Sequence, residues 1–240
     1  MTDVPDFVHS DLARLHIEVT EGELSALGRY LDLLLEVNEQ FNLTAVRDRD
    51  QAWRRHIIDS LTLIPHLSDL AEGAKVADVG SGGGLPGLPL AITQPKLRFT
   101  MIEATGKKAR FLERCVRELG LVNSRVVSAR AETLGQDPAH RQRYDVAVCR
   151  ALGPMRELLE YLLPLVRVGG EVLAMKGPTV AAEMDLAANA MTLLGAGGLE
   201  IIPAYPDEFE MDAVIVAVAK TGETPRRYPR PPGVPRHEPL

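Results

Sequence analysis

The segment VADVGSGGGLPGLPL, residues 76–90, constrains this chain more than any other. Val76 to Val79 is a short apolar run carrying one acid, Asp78, and four glycines follow at once: Gly80, Gly82, Gly83 and Gly84. Pro86 and an apolar stretch then open a helix. The pattern predicts strand, tight glycine turn and helix. Glycines at such a turn can take positive φ and let a ligand approach bare backbone, while the helix start offers unpaired N–H groups. A turn of this kind suits a nucleotide-like ligand.

Two cofactor classes use such turns. The frame Gly82-x-Gly84-x-x-Gly87 satisfies the dinucleotide fingerprint, which keeps oxidoreduction in view. Counted from Gly80, however, the place of a dinucleotide fold's third glycine is taken by Leu85. The spacing Asp78-x-Gly80-x-Gly82-x-Gly84 resembles motif I of the class I S-adenosylmethionine-dependent methyltransferases. In that family the acid and the glycine turn hold the methionine end of the cofactor.

With 240 residues the chain can bury a full core, and one domain with an appendage is the natural expectation. The start MTDVPDFVHSD is acidic, without the charged and apolar regions of a signal peptide, and no run is long enough to span a membrane, so a cytoplasmic protein is expected. Two cysteines, Cys115 and Cys149, without CxxC spacing speak against a disulfide framework and a structural zinc site. A net charge of −6 excludes a chain that coats nucleic acid indiscriminately. RNA binding stays open, because basic residues are grouped: Arg47, Arg49, Arg54 and Arg55; Lys107, Lys108 and Arg110; Arg226, Arg227 and Arg230.

Before the glycine strand, Thr20-x-x-Glu23 is a capping box ahead of Leu24, Leu27, Leu31 and Leu34 at helical spacing, and Gln51 to Leu63 forms a second amphipathic stretch. Asn42-Leu43-Thr44-Ala45 between them reads as a turn and helix cap. From Val76 strands and helices alternate, which predicts a parallel sheet covered on both faces. Its strands are Val76–Val79, Leu97–Ile102, Arg125–Ser128, Asp145–Cys149 and Glu171–Met175, with a helix from Met155 to Val166 and a Gly169-Gly170 turn before the fifth strand. Leu199–Pro203 and Ala213–Ala219 follow with only a short connection and should pair antiparallel. That ending favours the methyltransferase over a dinucleotide fold. The fold expected is α/β, Rossmann-like, with a seven-stranded mostly parallel sheet. The expected parts are an N-terminal helical extension (1–72), a methyltransferase domain (73–220) and a Pro/Arg-rich tail (221–240).

Ligands of open parallel sheets sit at the carboxyl ends of the strands. Glu103, ending the second strand, is placed to accept hydrogen bonds from both ribose hydroxyls. Ala131-Glu132, past the third, would flank adenine, although Glu132 could equally cap a helix. Cys149 lies in a buried-strand pattern and reads as core rather than nucleophile. Arg150 and Lys176 end adjacent strands, and two cations there suit an anionic or guanine-like substrate. The motif for exocyclic-amine methylation is absent, whereas guanine N7 has an in-plane lone pair and needs positioning more than a base.

Asn42-Leu-Thr-Ala, Arg55-His-Ile-Ile-Asp-Ser-Leu61, the glycine turn, Gly106-Lys-Lys-Ala-Arg-Phe-Leu112, Arg150-Ala, Met175-Lys-Gly177 and Tyr228-Pro-Arg together resemble the RsmG family, also called glucose-inhibited division protein B. The resemblance implies methyl transfer from S-adenosyl-L-methionine to N7 of a guanosine in the decoding-region loop of 16S ribosomal RNA. The partner implied is that RNA in the small subunit or its assembly intermediate, and a monomer is expected. It further implies that Gly80, Leu85, Ala131, Glu132 and Arg150 contact the cofactor, and that Asn42, His56, Lys107 and Lys176 serve RNA contact or catalysis. Lys108, Arg226, Arg227 and Arg230 are further candidates for RNA binding. A nicotinamide-dependent oxidoreductase, a non-catalytic RNA-binding protein and a small-molecule methyltransferase are the rival readings.

Overall fold

The computed structural model describes residues 4–209 and 211–240; Glu210 and the acidic start Met1–Asp3 lie outside the described residues. Helices α1 (Asp6–Arg14) and α2 (Glu21–Asn38) open the chain. Thr20 and Glu23 form the expected capping box at α2, with the Thr20 N–H donating to the Glu23 carboxylate over 2.7 Å. Next comes one continuous helical stretch of three parts: α3 (Arg49–Ala52), a π-helical turn (Trp53–Ile58) and α4 (Asp59–Leu61). α5 (Ile64–Leu67) completes the N-terminal helices. Leu24, Leu27, Leu31, Leu34, Trp53, Ile57 and Leu61 form the buried stripe that docks these helices onto one face of the sheet.

The sheet has seven strands: β1 (Lys75–Val79), β2 (Arg98–Ile102), β3 (Ser124–Val127), β4 (Tyr144–Arg150), β5 (Val166–Lys176), β6 (Ala196–Pro203) and β7 (Val214–Lys220). Their spatial order is β3-β2-β1-β4-β5-β7-β6, with β1 to β5 parallel and β7 antiparallel to both β5 and β6. Between them run α6 (Gly87–Thr93), α7 (Gly106–Glu118), α8 (Ala131–Gln136), α9 (Met155–Leu162) and α10 (Ala181–Leu194). The central strands are nearly continuous in apolar side chains because both their faces are covered.

The strand order reverses between β1 and β4, the place where such sheets open a crevice at their carboxyl edge. The glycine turn after β1 and the loop after β4 meet there.

Two local expectations are corrected. α9 stops at Leu162 instead of reaching Val166, since Pro164 lacks an N–H and disfavours helical backbone in the residue before it. Val166 opens β5, and Gly169 and Gly170 lie within that strand's run, where pairing jumps from Tyr144–Val166 to Val146–Glu171; the pair makes a bulge rather than a turn ahead of the strand.

The Pro/Arg-rich tail is packed. Arg141 gathers it, donating to the carbonyls of Tyr228 (2.7 Å) and Thr224 (2.6 Å), while Tyr228 is buried. The tail ends in α11 (Val234–His237). Among the described residues no helix is long and apolar enough to cross a membrane.

Candidate active site

Two cavities open at the carboxyl edge of the sheet. The first, of about 410 Å³, is built on the glycine turn and is lined by Gly80, Glu103, Lys108, Ala131, Glu132, Leu152, Glu157, Tyr161 and Arg236, among others. The second, of about 310 Å³, is lined by Asp59, Arg150, Lys176, Glu183 and Val214, among others. They share a wall, the loop after β4: Leu152 faces the first, and Ala151 and Gly153 face the second. Ala151 sits at φ +52°, unusual for a residue with a Cβ, and marks strain where the cavities meet.

The turn is over-determined by its surroundings. Gly80 has φ +74°, and a Cβ there would lie 2.5 Å from Leu152 Cδ1. Beneath the turn Asp78 is completely buried in β1, its Oδ2 accepting the Gly87 N–H over 3.1 Å. Burial pushes this carboxyl up to about 7, and its Oδ1 has no hydrogen-bond partner. Asp78 therefore fixes the turn from below and does not line either cavity. From α2, the Tyr30 hydroxyl donates to the Gly83 carbonyl over 2.7 Å, a brace for which helical periodicity carried no signal.

Glu103 is held on both sides. Its Oε2 accepts the Gly82 N–H (2.9 Å) and its Oε1 the Thr105 N–H (2.7 Å). Each oxygen keeps a lone pair for a ligand hydroxyl. Glu132 Oε1 accepts the Gly233 N–H of the tail (2.9 Å), and Tyr161 donates to Glu157 Oε1 (2.8 Å). Three buried carboxylates, Glu103, Glu132 and Glu157, thus face one cavity. They share it with Lys108, Arg130 and Arg236, so the lining is balanced in charge and offers buried acceptors to a ligand rich in hydroxyl and amine donors, as S-adenosyl-L-methionine is. Gly82, Gly84 and Leu85 form the turn itself, with Leu85 partly buried against the core.

The second cavity pairs two cations, Arg150 and Lys176, with two acids, Asp59 and Glu183. Arg150 Nη1 lies 3.0 Å from Asp59 Oδ2 but is not aligned as a hydrogen bond, leaving that nitrogen without an acceptor. Asp59 also accepts from the Tyr205 hydroxyl (3.2 Å), and burial raises its carboxyl despite Arg150. Lys176 donates to the Gly153 carbonyl (2.9 Å) and to Glu183 Oε2 (2.8 Å), which uses two of its three donors.

His56 is buried behind Arg150, its Nδ1 3.2 Å from Arg150 Nη2 and 2.9 Å from the Arg55 carbonyl, its Nε2 2.7 Å from Thr44 Oγ1. Burial first, then Arg150, lower it to about 4, so the ring is neutral near pH 7. Asn42 is exposed, while Asn38 holds the 42–45 loop by accepting the N–H groups of Leu43 (2.8 Å) and Thr44 (3.0 Å).

Of the residues considered for RNA, Lys107, Arg226 and Arg227 are exposed, Lys108 lines the first cavity, and Arg230 is committed to the fully buried Glu160 by paired contacts of 2.9 and 2.7 Å. Cys149 is core, with burial raising its thiol to about 12. Asp59, Glu157, Tyr161 and Glu183 enter the site without a spacing signal. Asp59 alone lay inside a quoted motif, in Arg55-His-Ile-Ile-Asp-Ser-Leu61.

Among solved structures, the chain is similar to a variant of MtNAS in complex with S-adenosylmethionine (15% identity, TM-score 0.55, covering 90% of this chain and 84% of that one). A second, from Methanococcus maripaludis, has 14% identity and a TM-score of 0.55, covering 86% of this chain and 97% of that one. At that identity they show the fold. Sequence relatives are much nearer. The ribosomal RNA small subunit methyltransferase G of Pelotomaculum thermopropionicum is 39% identical over 100% of both chains. That of Chloroflexus aggregans is 42% identical over 93% of both. The family model described as GidB, rRNA small subunit methyltransferase G, matches residues 23–204. The chain belongs to the GidB family, the rRNA small subunit methyltransferases G.

Proposed function

We propose that this protein transfers a methyl group from S-adenosyl-L-methionine to N7 of a guanosine in 16S rRNA of the small ribosomal subunit or its assembly intermediate. The observation that carries this reading is the pair of cavities with one shared wall, one on the glycine turn with Glu103, Glu132 and Glu157 in its lining, and one beside it with Arg150 and Lys176 in its lining. When bound, the cofactor supplies an electrophilic methyl on a sulfonium. Glu103 accepts from the ribose hydroxyls, Gly80 lines the cavity with bare backbone, Gly82, Gly84 and Leu85 shape the turn behind it with their N–H groups bonded to Glu103 and Ser81, and Ala131 and Glu132 flank the adenine. Asp78 keeps the turn in place from beneath.

In the neighbouring cavity, Arg150 and the remaining donor of Lys176 hold guanine O6 or an adjoining phosphate. The N7 lone pair then faces the shared wall. No proton leaves N7, so the neutral His56 positions Arg150 rather than acting as a base. Asn42, Lys107, Arg226 and Arg227 supply the outer RNA contacts, while Lys108 lines the cofactor cavity and Arg230 secures the tail.

In this reading residues 73–220 perform the chemistry, residues 1–72 brace the turn and line the acceptor cavity, and residues 221–240 strap the domain. A cytoplasmic location is supported by two buried free cysteines and the ribosomal substrate. A monomer is supported by the scatter of the exposed large apolar side chains Val122, Val168, Leu186, Ile201 and Met211 over different elements.

The experiment is transfer of labelled methyl to small subunits lacking the N7 mark, with reductive cleavage at N7-methylguanosine to map the product. One new cleavage in the decoding-region loop is expected. Methylation at another atom, or of a small molecule instead, refutes the reading.

A further inference from the structure

The tail follows one route across the domain, and its end arrives at the first cavity. Arg141 ties residues 224–228, Gln136 donates to the Pro229 carbonyl (2.8 Å), and Arg230 clasps Glu160. Three residues later, the Gly233 N–H donates to Glu132 Oε1, and α11 then carries Arg236 to the cavity rim, where it is exposed.

We propose that this C-terminal turn is the outer wall of the adenine end of the cofactor site. It contributes two groups of its own, the Gly233 N–H, which positions Glu132, and the Arg236 guanidinium, which covers the bound base. The proposal rests on the reading of this cavity as the cofactor's and assigns the tail's last residues to the cofactor rather than to RNA.

Two chemical observations support it. Glu132 is buried, and a buried carboxylate needs its orientation fixed if its second oxygen is to meet an exocyclic amine. The Gly233 N–H takes one oxygen and leaves Oε2 for that purpose. Arg236 is at the rim shared with Ala131, Glu132 and Tyr161, away from the Lys176 cavity. A planar guanidinium there stacks on a purine face or donates to a ring nitrogen. The anchors at Arg141 and Glu160 precede this turn in the chain, and Arg230 also donates to the Glu238 carbonyl (2.7 Å), which ties the tip to the strap.

The test is calorimetric binding of adenosine and of S-adenosylhomocysteine to the full-length protein, to Arg236→Ala, to a chain ending at Pro232, and to Glu103→Ala. Arg236→Ala should weaken both ligands by about fivefold, and the chain ending at Pro232 by about tenfold or more. Equal factors for adenosine and S-adenosylhomocysteine locate the loss at the adenosine end and away from the homocysteine end. Wild-type affinity in Arg236→Ala overturns the role of Arg236, whether or not the shortened chain folds, and an Arg236→Ala effect confined to RNA affinity assigns the residue to RNA instead. Glu103→Ala should abolish binding of both ligands. Wild-type affinity in that variant would remove the cofactor from this cavity and the proposal with it.

Discussion

Gly87→Ala isolates the contact between the glycine turn and the acid beneath it. Gly87 is the first residue of α6, where alanine would ordinarily gain up to about 1 kcal/mol over glycine. The structure opposes that gain. An added Cβ would lie 2.5 Å from Asp78 Oδ2, 2.8 Å from its Cβ and 3.0 Å from its Cγ. All three atoms belong to a side chain with no exposure and no room to rotate. Overpacking of this kind costs about 1–3 kcal/mol. Displacing the carboxyl also breaks its bond from the Gly87 N–H, worth about 1–3 kcal/mol more where the acceptor stays buried.

Sterics win over propensity by about 3 kcal/mol. For a chain of this length that lowers the melting temperature by about 6–12 °C. Thermal unfolding followed by circular dichroism measures it, with Gly177→Ala as control because nothing lies within 4 Å of a Cβ there. A Gly87→Ala protein melting at or above wild type refutes the reasoning, since helix propensity would then have prevailed and Asp78 would not press on the turn.

His56 has a folded pKa of about 4 against 6.5 when unfolded, so its contribution is complete above about pH 6.5 and lost as pH falls toward 4, by up to about 3 kcal/mol. Urea midpoints of His56→Gln should vary less between pH 7 and pH 4.5 than those of wild type; parallel slopes would contradict the shift. Asp78 has the opposite sign. Raised to about 7, it stabilises fully below about pH 4 and loses that contribution as pH climbs through 7. Asp78→Asn should therefore gain on wild type between pH 5 and pH 8, and a constant difference would count against the burial argument. Tyr30→Phe removes the brace on Gly83 and should cost about 1–2 kcal/mol in denaturant unfolding together with weaker S-adenosylmethionine binding; unaltered cofactor affinity would separate the brace from the site. Lys176→Ala should lose methyl transfer while binding the cofactor as before, and full activity would remove Lys176 from the acceptor cavity.

Legibility in the sequence followed the range of the interactions. The capping box at Thr20, the glycine turn and the apolar strands were readable because each is written within a few consecutive residues. Arg150 and Lys176 were readable because both end strands, and parallel neighbours bring strand ends together. Nothing in the helical spacing singles out Tyr30, and only the docking of α2 reveals that its hydroxyl reaches Gly83, 53 residues away. Arg141 is a loop arginine in sequence, and its bonds to residues 224–228 depend on where the tail happens to run. Arg230 sat in a basic group that suggested phosphate, yet the carboxylate it answers, Glu160, is 70 residues away. The end of α9 was misjudged although Pro164 stood in plain view, because apolar periodicity continues through it into β5.

The loop after β4 belongs to both cavities at once, and it is strained at Ala151. A partition with two occupied sides cannot adjust to one occupant without altering the space left for the other. Under the proposed function, cofactor and acceptor on either side of these four residues are thermodynamically linked, and whatever factor one imposes on the affinity of the other is returned unchanged.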